Sequence, residues 1–364
     1  MSQTFHIAVI EGDGIGPEVT REAIRSVEAA CALDNASFQW TLYPWGTEYF
    51  FEHGRMAPDD FLDTLSNHDA ILLGAVGHPD VQDHLTLNGL LLPIRRHFDQ
   101  CVCLRPSYLY DGVESPLRDK PAGSIDMQIF RENTEGEYAN VGGRLYADRP
   151  HDVAVQTSVF TRHGCQRIIR AAFEKASARP ARHVASITKS NAQGYGMVLW
   201  DEVFDEVAAE FPDIETESLL IDRAVMEFVR RPESFDVVVA SNLFGDILTD
   251  LAAIVVGSMG LAASANIDPT RTCPSMFEPV HGSAPDIVGQ GIANPLAAIL
   301  SAAMMLEHLQ LPRSAAAIQD AVRNQLAERG PRTPDLQGNS TTEETGAAIA
   351  SRVADSVAVA GDIL

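Results

Sequence analysis

Cysteine is scarce and badly placed for a bonded role. Cys31, Cys101, Cys103, Cys165 and Cys273 are odd in number and none stands in Cys-x-x-Cys spacing, which argues against both a disulfide framework and a thiolate zinc site. Positive charge is short as well. With 27 Lys and Arg against 50 Asp and Glu, the formal charge is -23, so a nucleic-acid or anionic-membrane partner is not expected, and an acidic ligand would need a local basic cluster. Long hydrophobic runs are missing: the stretches 247–265 and 296–306 are broken by Gly, Ser and Met or are too short to span a bilayer. There is no internal repeat and no low-complexity segment. No basic, apolar, small-residue signal precedes the strand-like Phe5 to Ile10, and the expectation is a cytoplasmic protein.

What is present is enough apolar residue, 45% of 364, to bury a sizeable core in two domains of about 150 to 200 residues. The chain is organised around Ser241-Asn242-Leu243-Phe244-Gly245-Asp246-Ile247-Leu248-Thr249-Asp250. This stretch follows the apolar run Asp236 to Ala240, which reads as a buried strand, and it opens a segment of helical length. On that helix Asp246 and Asp250 lie one above the other, close enough for both carboxylates to reach one hard cation. An isolated Asp-x-x-x-Asp is more often a helix-start acid followed by a solvated one. Here the helix is apolar nearly all round, from Ile247 to Val256, so acids at its start are not on an ordinary wet surface. A bound cation is the expected reason.

In chain order, His6 to Ile10 reads as a strand that enters Glu11-Gly12-Asp13-Gly14-Ile15-Gly16-Pro17-Glu18, and Val19, Ala23, Val27 and Ala30 mark the helix that follows. This is the layout of a dinucleotide loop, but the third glycine of Gly-x-Gly-x-x-Gly falls at Pro17, so a tight turn is the alternative. Ala70 to Gly77 is a buried strand containing Gly74, and Leu87 to Phe98 reads as a helix carrying Arg95. Arg105 ends the strand after Gln100, and Arg131 closes Ser124 to Phe130. Any one of these arginines is more often a surface ion-pair partner; as a set in an acidic chain they suit a dicarboxylate, which the guanidinium fork binds bidentately. Strand ends at Thr188 and Ile221 deliver Lys189 and Asp222, and with Asp246 they are expected along one sheet edge. Asn294 with Pro295 reads as a helix start, and Thr341-Thr342-Glu343-Glu344 as a capping box.

The pieces Gly12 to Glu18, Arg95 with Leu104-Arg105-Pro106, Arg131-Glu132-Asn133-Thr134-Glu135-Gly136, Asn242 to Asp246, His281-Gly282-Ser283-Ala284-Pro285-Asp286 and Thr333-Pro334-Asp335-Leu336-Gln337-Gly338 together resemble the β-decarboxylating dehydrogenase family. That family contains the isopropylmalate, isocitrate, D-malate and tartrate dehydrogenases, and the matches run from end to end in its order. The resemblance implies an α/β, isopropylmalate dehydrogenase-like two-domain fold with a central mixed sheet flanked by helices. The first, cofactor-side domain would be 1–104 with 257–364, and the second, metal and dimer-interface domain 105–256. It also implies a homodimer with shared active sites.

Carried over by position, the resemblance implies that Arg95, Arg105 and Arg131 hold the substrate carboxylates. Asp246 and Asp250 from one subunit, with Asp222 from the other, would bind Mn2+ or Mg2+, with K+ a further candidate ion. Tyr138 and the neighbouring subunit's Lys189 would move protons, Lys189 as a neutral amine that accepts the hydroxyl proton and Tyr138 as the acid that protonates the enol carbon. NAD would lie against Gly74, Glu278, His281, Gly282, Ser283, Ala284, Pro285, Asp286, Ile287 and Asn294. The segment Asp83 to Gln100 looks most like the tartrate and D-malate branch, with Leu90 and Leu91 facing the substrate's third carbon. The implied chemistry is oxidation of (+)-tartrate, oxidative decarboxylation of D-malate and conversion of meso-tartrate to glycerate. Since the same leucines would receive an isopropyl group, 3-isopropylmalate dehydrogenase is the alternative. From other classes, a metal-dependent hydrolase or a non-catalytic metabolite-binding protein remain to be weighed.

Overall fold

The structure, a computed structural model, describes residues 3–361. Its strands are β1 (Gln3–Gly12), β2 (Ala36–Leu42), β3 (Ala70–Ala75), β4 (Val102–Tyr108), β5 (Asp126–Glu132), β6 (Gly136–Leu145), β7 (Val153–Val159), β8 (His183–Thr188), β9 (Glu215–Leu220), β10 (Val237–Ala240), β11 (Ala263–Ile267) and β12 (Ser275–Pro279). Its helices are α1 (Gly16–Ala30), α2 (Thr47–His53), α3 (Phe61–Leu65), α4 (Asp83–Thr86), α5 (Leu92–His97), α6 (Arg162–Ser177), α7 (Gly196–Ala208), α8 (Ile221–Arg230), α9 (Asn242–Val255), α10 (Leu296–His308), α11 (Pro312–Ala327) and α12 (Thr342–Gly361).

Ten strands form one mixed sheet in the order β2-β1-β3-β12-β11-β4-β5-β10-β8-β9. Its outer parts are parallel, and β4 is antiparallel to both neighbours, β11 and β5. The apolar runs of β1, β3 and β10 are buried on both faces, as parallel strands covered by helices must be. One core packs α6, α7, α8 and α9 around β5, β10 and β8. A second packs α1, α10, α11 and α12 against β1, β11 and β12. A smaller third, with Trp45, Phe61, Leu90 and Ile94, covers the opposite face of β1 and β3.

Two local expectations need correction. Arg105 does not end its strand: β4 continues through Pro106 to Tyr108, and the proline is tolerated because β11 pairs with β4 only at Val102 to Leu104 and leaves that edge open. The segment before Arg95 is not one regular helix. Between α4 and α5, Leu87–Leu91 makes a wider π turn. Pro93 lies four residues beyond Gly89, whose carbonyl its ring would strike in a regular helix, and a π turn at this place relieves that clash.

Candidate active site

The centre of the site is the start of α9. Its first turn is capped by a side chain from another element: Glu137 on β6 accepts from the Ser241 hydroxyl at 2.8 Å and from the Leu243 amide at 3.1 Å, satisfying a donor a helix start leaves free. Gly245 is required here because a Cβ would lie 2.6 Å from Cβ of Arg131. That close approach lets Arg131 lie along the helix. Its Nη1 bonds Asp246, while Nε and Nη2 donate to Asn242 Oδ1 at 3.1 and 2.8 Å.

Arg105 enters from β4. Its Nη1 donates to Thr249 Oγ1 at 2.6 Å, and lies 3.5 Å from Asp246 and 4.0 Å from Asp250. The Tyr138 hydroxyl donates to the other oxygen of Asp246 at 2.7 Å, and its ring lies under the Arg131 guanidinium at 5.3 Å. Arg96 holds the Tyr138 strand, donating to its carbonyl at 2.7 Å. Arg95 is turned by Glu278, to which its Nη2 donates at 2.7 Å.

All three arginines are buried, and the Nε groups of Arg95 and Arg105 have no partner. Buried, unpaired guanidinium donors are costly in a protein alone and suit an incoming carboxylate.

Electrostatics separate the two aspartates. Burial works to raise Asp246, but Arg131, Arg105 and the Tyr138 hydroxyl outweigh it and hold the carboxyl below the ordinary range. Asp250 is pushed up by burial and by the charge of Asp246. Burial, reinforced by Asp246, raises Tyr138 to about 12, so its hydroxyl keeps its proton at neutral pH. Two acids one turn apart are a hard-oxygen set that fits Mn2+ or Mg2+. Among the described residues no third His, Cys, Asp or Glu joins them.

Lys189 and Asp222 follow neighbouring strands, β8 and β9, and pair with each other. Asp222 lies in the first turn of α8, not at a strand end, and this ion pair lowers it. No bond joins either residue to Asp246 within the described residues.

The segment from Val280 to Asn294 is irregular backbone. A Cβ added at Gly282, Gly289 or Gly291 would meet nothing within 4 Å, so the loop has open space beside it. Ser283 is buried, Pro285 and Asp286 are exposed, and Ala284 and Ile287 are half-buried. His281 Nδ1 is 3.0 Å from the Gly282 carbonyl, its Nε2 is buried without a partner, and burial lowers its pKa. An unpartnered neutral imidazole and a free carboxylate beside open space fit a nucleotide. Asn294 Nδ2 donates to Asp335 at 2.8 Å, and its Oδ1 accepts from the Leu296 amide at the start of α10.

The glycine turn after β1 is no phosphate cradle. Asp13 fills it with its own carboxylate, which accepts from the Thr47 amide and hydroxyl and from the Gly77 amide at 2.7 to 2.8 Å. Four expected ligand contacts also change character. Gly74 is buried, and its missing Cβ makes room for the Glu11 carbonyl 2.4 Å away, so packing accounts for it. Leu90 is wholly buried with Met56, Phe61 and Ile94, and Leu91 nearly so; the π turn directs both into the core, and Leu85 and Asn88 are exposed instead. Glu278 is engaged by Arg95. Sequence reading missed Glu137, Asn242, Thr249 and Arg96, which act by holding other side chains and carry no signature of their own.

A family model described as isocitrate/isopropylmalate dehydrogenase matches residues 6–349. The chain is 49% identical over 356 residues to D-malate dehydrogenase (decarboxylating) of Escherichia coli K12, covering 96% of this chain and 98% of the relative. It is 45% identical over 361 residues to tartrate dehydrogenase/decarboxylase of Pseudomonas putida, covering 97% and 99%. Among solved structures, isocitrate dehydrogenase from Methylococcus capsulatus superposes with a TM-score of 0.87 at 35% identity, over 96% of this chain and 99% of that one.

Proposed function

Since the chain belongs to the isocitrate/isopropylmalate dehydrogenase family, we propose that it oxidises (+)-tartrate and D-malate with NAD+, the D-malate with loss of carbon dioxide, and carries meso-tartrate on to glycerate. The observation that carries this reading is the convergence of Arg105, Arg131 and Tyr138 on Asp246, one helical turn from Asp250.

Arg95, Arg105 and Arg131 hold the two carboxylates of a small dicarboxylic 2-hydroxy acid and shield their charge from the acids around them. Asp246 and Asp250, with Asp222 of the partner subunit, hold Mn2+ or Mg2+, which when bound supplies Lewis acidity at the substrate's 2-hydroxyl and 1-carboxylate. Lys189 of the partner subunit accepts the hydroxyl proton. Residues 281–287 with Asn294 would hold NAD+, which would supply the hydride acceptor. After decarboxylation, the Tyr138 hydroxyl delivers its proton to the enol carbon; its raised pKa keeps it loaded at neutral pH.

A homodimer with shared sites accounts for Lys189 and Asp222 standing apart from Asp246. It also accounts for Ile247 and Ile254 of α9, Met226 and Val229 of α8, and Val141, Leu145 and Val155 of the β6–β7 hairpin, apolar side chains that a single chain leaves exposed. The sheet halves on either side of β4 support a division into domains 1–104 with 257–364, and 105–256.

Burial of Leu90 removes one of the two leucines that would receive an isopropyl group, which favours the smaller substrates over 3-isopropylmalate. Among the described residues, a hydrolase metal site within one chain lacks its third acid. The deciding experiment follows the absorbance of reduced nicotinamide with NAD+ and Mn2+ across D-malate, (+)-tartrate, meso-tartrate, 3-isopropylmalate and isocitrate. D-Malate and a tartrate should give the highest kcat/KM; a clear preference for 3-isopropylmalate overturns the proposal.

A further inference from the structure

Behind the arginines runs a buried polar chain that substrate contact alone does not explain. Asn266 on β11 is fully buried. Its Nδ2 donates to Glu278 Oε1 at 2.8 Å, the same oxygen that receives Arg95 Nη2 at 2.7 Å. Its Oδ1 accepts from Asn133 Nδ2 at 3.0 Å, and that nitrogen also donates to the Gln100 carbonyl at 2.9 Å.

The register explains how these groups meet. On β11 and β12, Ser264 opposes Glu278 and Asn266 opposes Met276, so Asn266 and Glu278 are diagonal neighbours on one face. Asn266 opposes Cys103 on β4, and Cys103 opposes Arg131 on β5. Asn266 therefore shares its face with Arg131, and Asn133 follows Arg131 by two residues.

We propose that Asn266 is a positioning residue for substrate binding, holding Glu278 so that it aims the Arg95 guanidinium, and fixing the end of β5 that carries Arg131 through Asn133. The inference rests on the reading above, in which both arginines bind substrate carboxylates.

The chemistry makes an amide necessary at this place. One side of Asn266 must donate to a carboxylate and the other must accept from an amide, and a buried Asn does both without adding charge. An aspartate of the same shape would face Glu278 acid to acid. A leucine would leave Glu278 and Asn133 short of a partner.

The test compares wild type with Asn266→Asp and Asn266→Ala, measuring KM for D-malate and for NAD+ separately. Loss of a hydrogen bond to a charged partner should raise the D-malate KM about tenfold or more, with the NAD+ KM within about twofold. Unchanged D-malate KM, or equal rises for both ligands, overturns the positioning role.

A second measurement is independent of the substrate assignment. Denaturation midpoints are compared for Asn266→Ala, Arg95→Met and the double variant. If Asn266 acts on Arg95 through Glu278, the double variant's shift is smaller than the sum of the two; strict additivity refutes the coupling even in a protein that ignores D-malate. Wild-type inactivity towards D-malate and tartrate would refute the proposed function alone. Should Asn266→Ala fail to fold, Asn133→Ala, which removes the tie from Asn266 to β5 together with the bond to the Gln100 carbonyl and leaves the bond to Glu278, takes its place in both measurements with a smaller effect in the same direction. No effect in either measurement overturns the inference.

Discussion

The hydroxyl of Tyr138 donates to Asp246 at 2.7 Å while Arg131 bonds the opposite oxygen of the same carboxylate. One acid thus holds the proposed proton donor and one of the arginines proposed to bind substrate in a fixed relation. Tyr138→Phe should lower D-malate decarboxylation by about a hundredfold to ten-thousandfold, the usual contribution of a positioned acid. Oxidation of (+)-tartrate ends before any carbon is protonated, so it should fall much less. Equal losses on the two substrates would show that Tyr138 only shapes the site.

Among the described residues the Asp250 carboxylate accepts no hydrogen bond and pairs only with Arg105, at 4.0 Å, and burial with the charge of Asp246 raises its pKa. Asp250→Asn should therefore leave the chelated protein as stable as wild type, or more so, and reduce turnover by on the order of a hundredfold or more. Mn2+ should raise the melting temperature of wild type by mass action and not that of the variant. A Mn2+-independent melting temperature in wild type would remove the acid pair from any metal site.

Lys189 and Asp222 pair with each other, and among the described residues neither bonds Asp246; in the proposed dimer each site draws on two chains. Tyr138→Phe and Lys189→Met should each be nearly inactive in D-malate decarboxylation as homodimers. Refolded together they should recover activity, since some heterodimers carry one intact site. Verified heterodimers without activity would contradict sharing.

Asp286 is exposed on the 281–287 loop, and no lysine or arginine stands within three residues of it in sequence. Against the 2'-phosphate of NADP+, a carboxylate there should produce a preference for NAD+ of roughly a hundredfold. Asp286→Lys with Ile287→Tyr should narrow that ratio by raising NADP+ activity. A ratio that does not move places the ribose elsewhere.

His308 packs on Phe277 with ring centres 5.6 Å apart. Burial, helped by the charge of Arg271, lowers it to about 4. Unfolded chains bind this proton near pH 6.5, so between those values the unfolded state holds more protons and stability is lost as pH falls. His308→Gln lacks that loss. Its melting temperature relative to wild type should rise between pH 7 and pH 4.5; a pH-independent difference would refute the assignment.

Much of the site could be read from order alone. Asp246 and Asp250 were legible because helical spacing stacks residues four apart, and the arginines because a cationic set in an acidic chain stands out. The mixed sheet came with the resemblance; periodicity by itself gives only alternating strands and helices. Leu90 and Gly74 misled for a physical reason, since a π turn changes which way a leucine faces and a missing Cβ serves packing as readily as ligand approach. Glu137, Asn242, Arg96 and Asn266 were not legible. Their work depends on partners 42 to 133 residues away, and such pairings appear only when the chain is folded.

β4 is hydrogen-bonded to β11 on one side and to β5 on the other, which gives the molecule a mechanical character. The two halves of the sheet are not beads on a flexible string; backbone bonds run from one into the other. Any movement of one half against the other would have to be absorbed as added twist spread along several strands. Energy for such a twist would have to come from ligand bridging both halves, so a fragment that touches one half alone should bind without bending the protein.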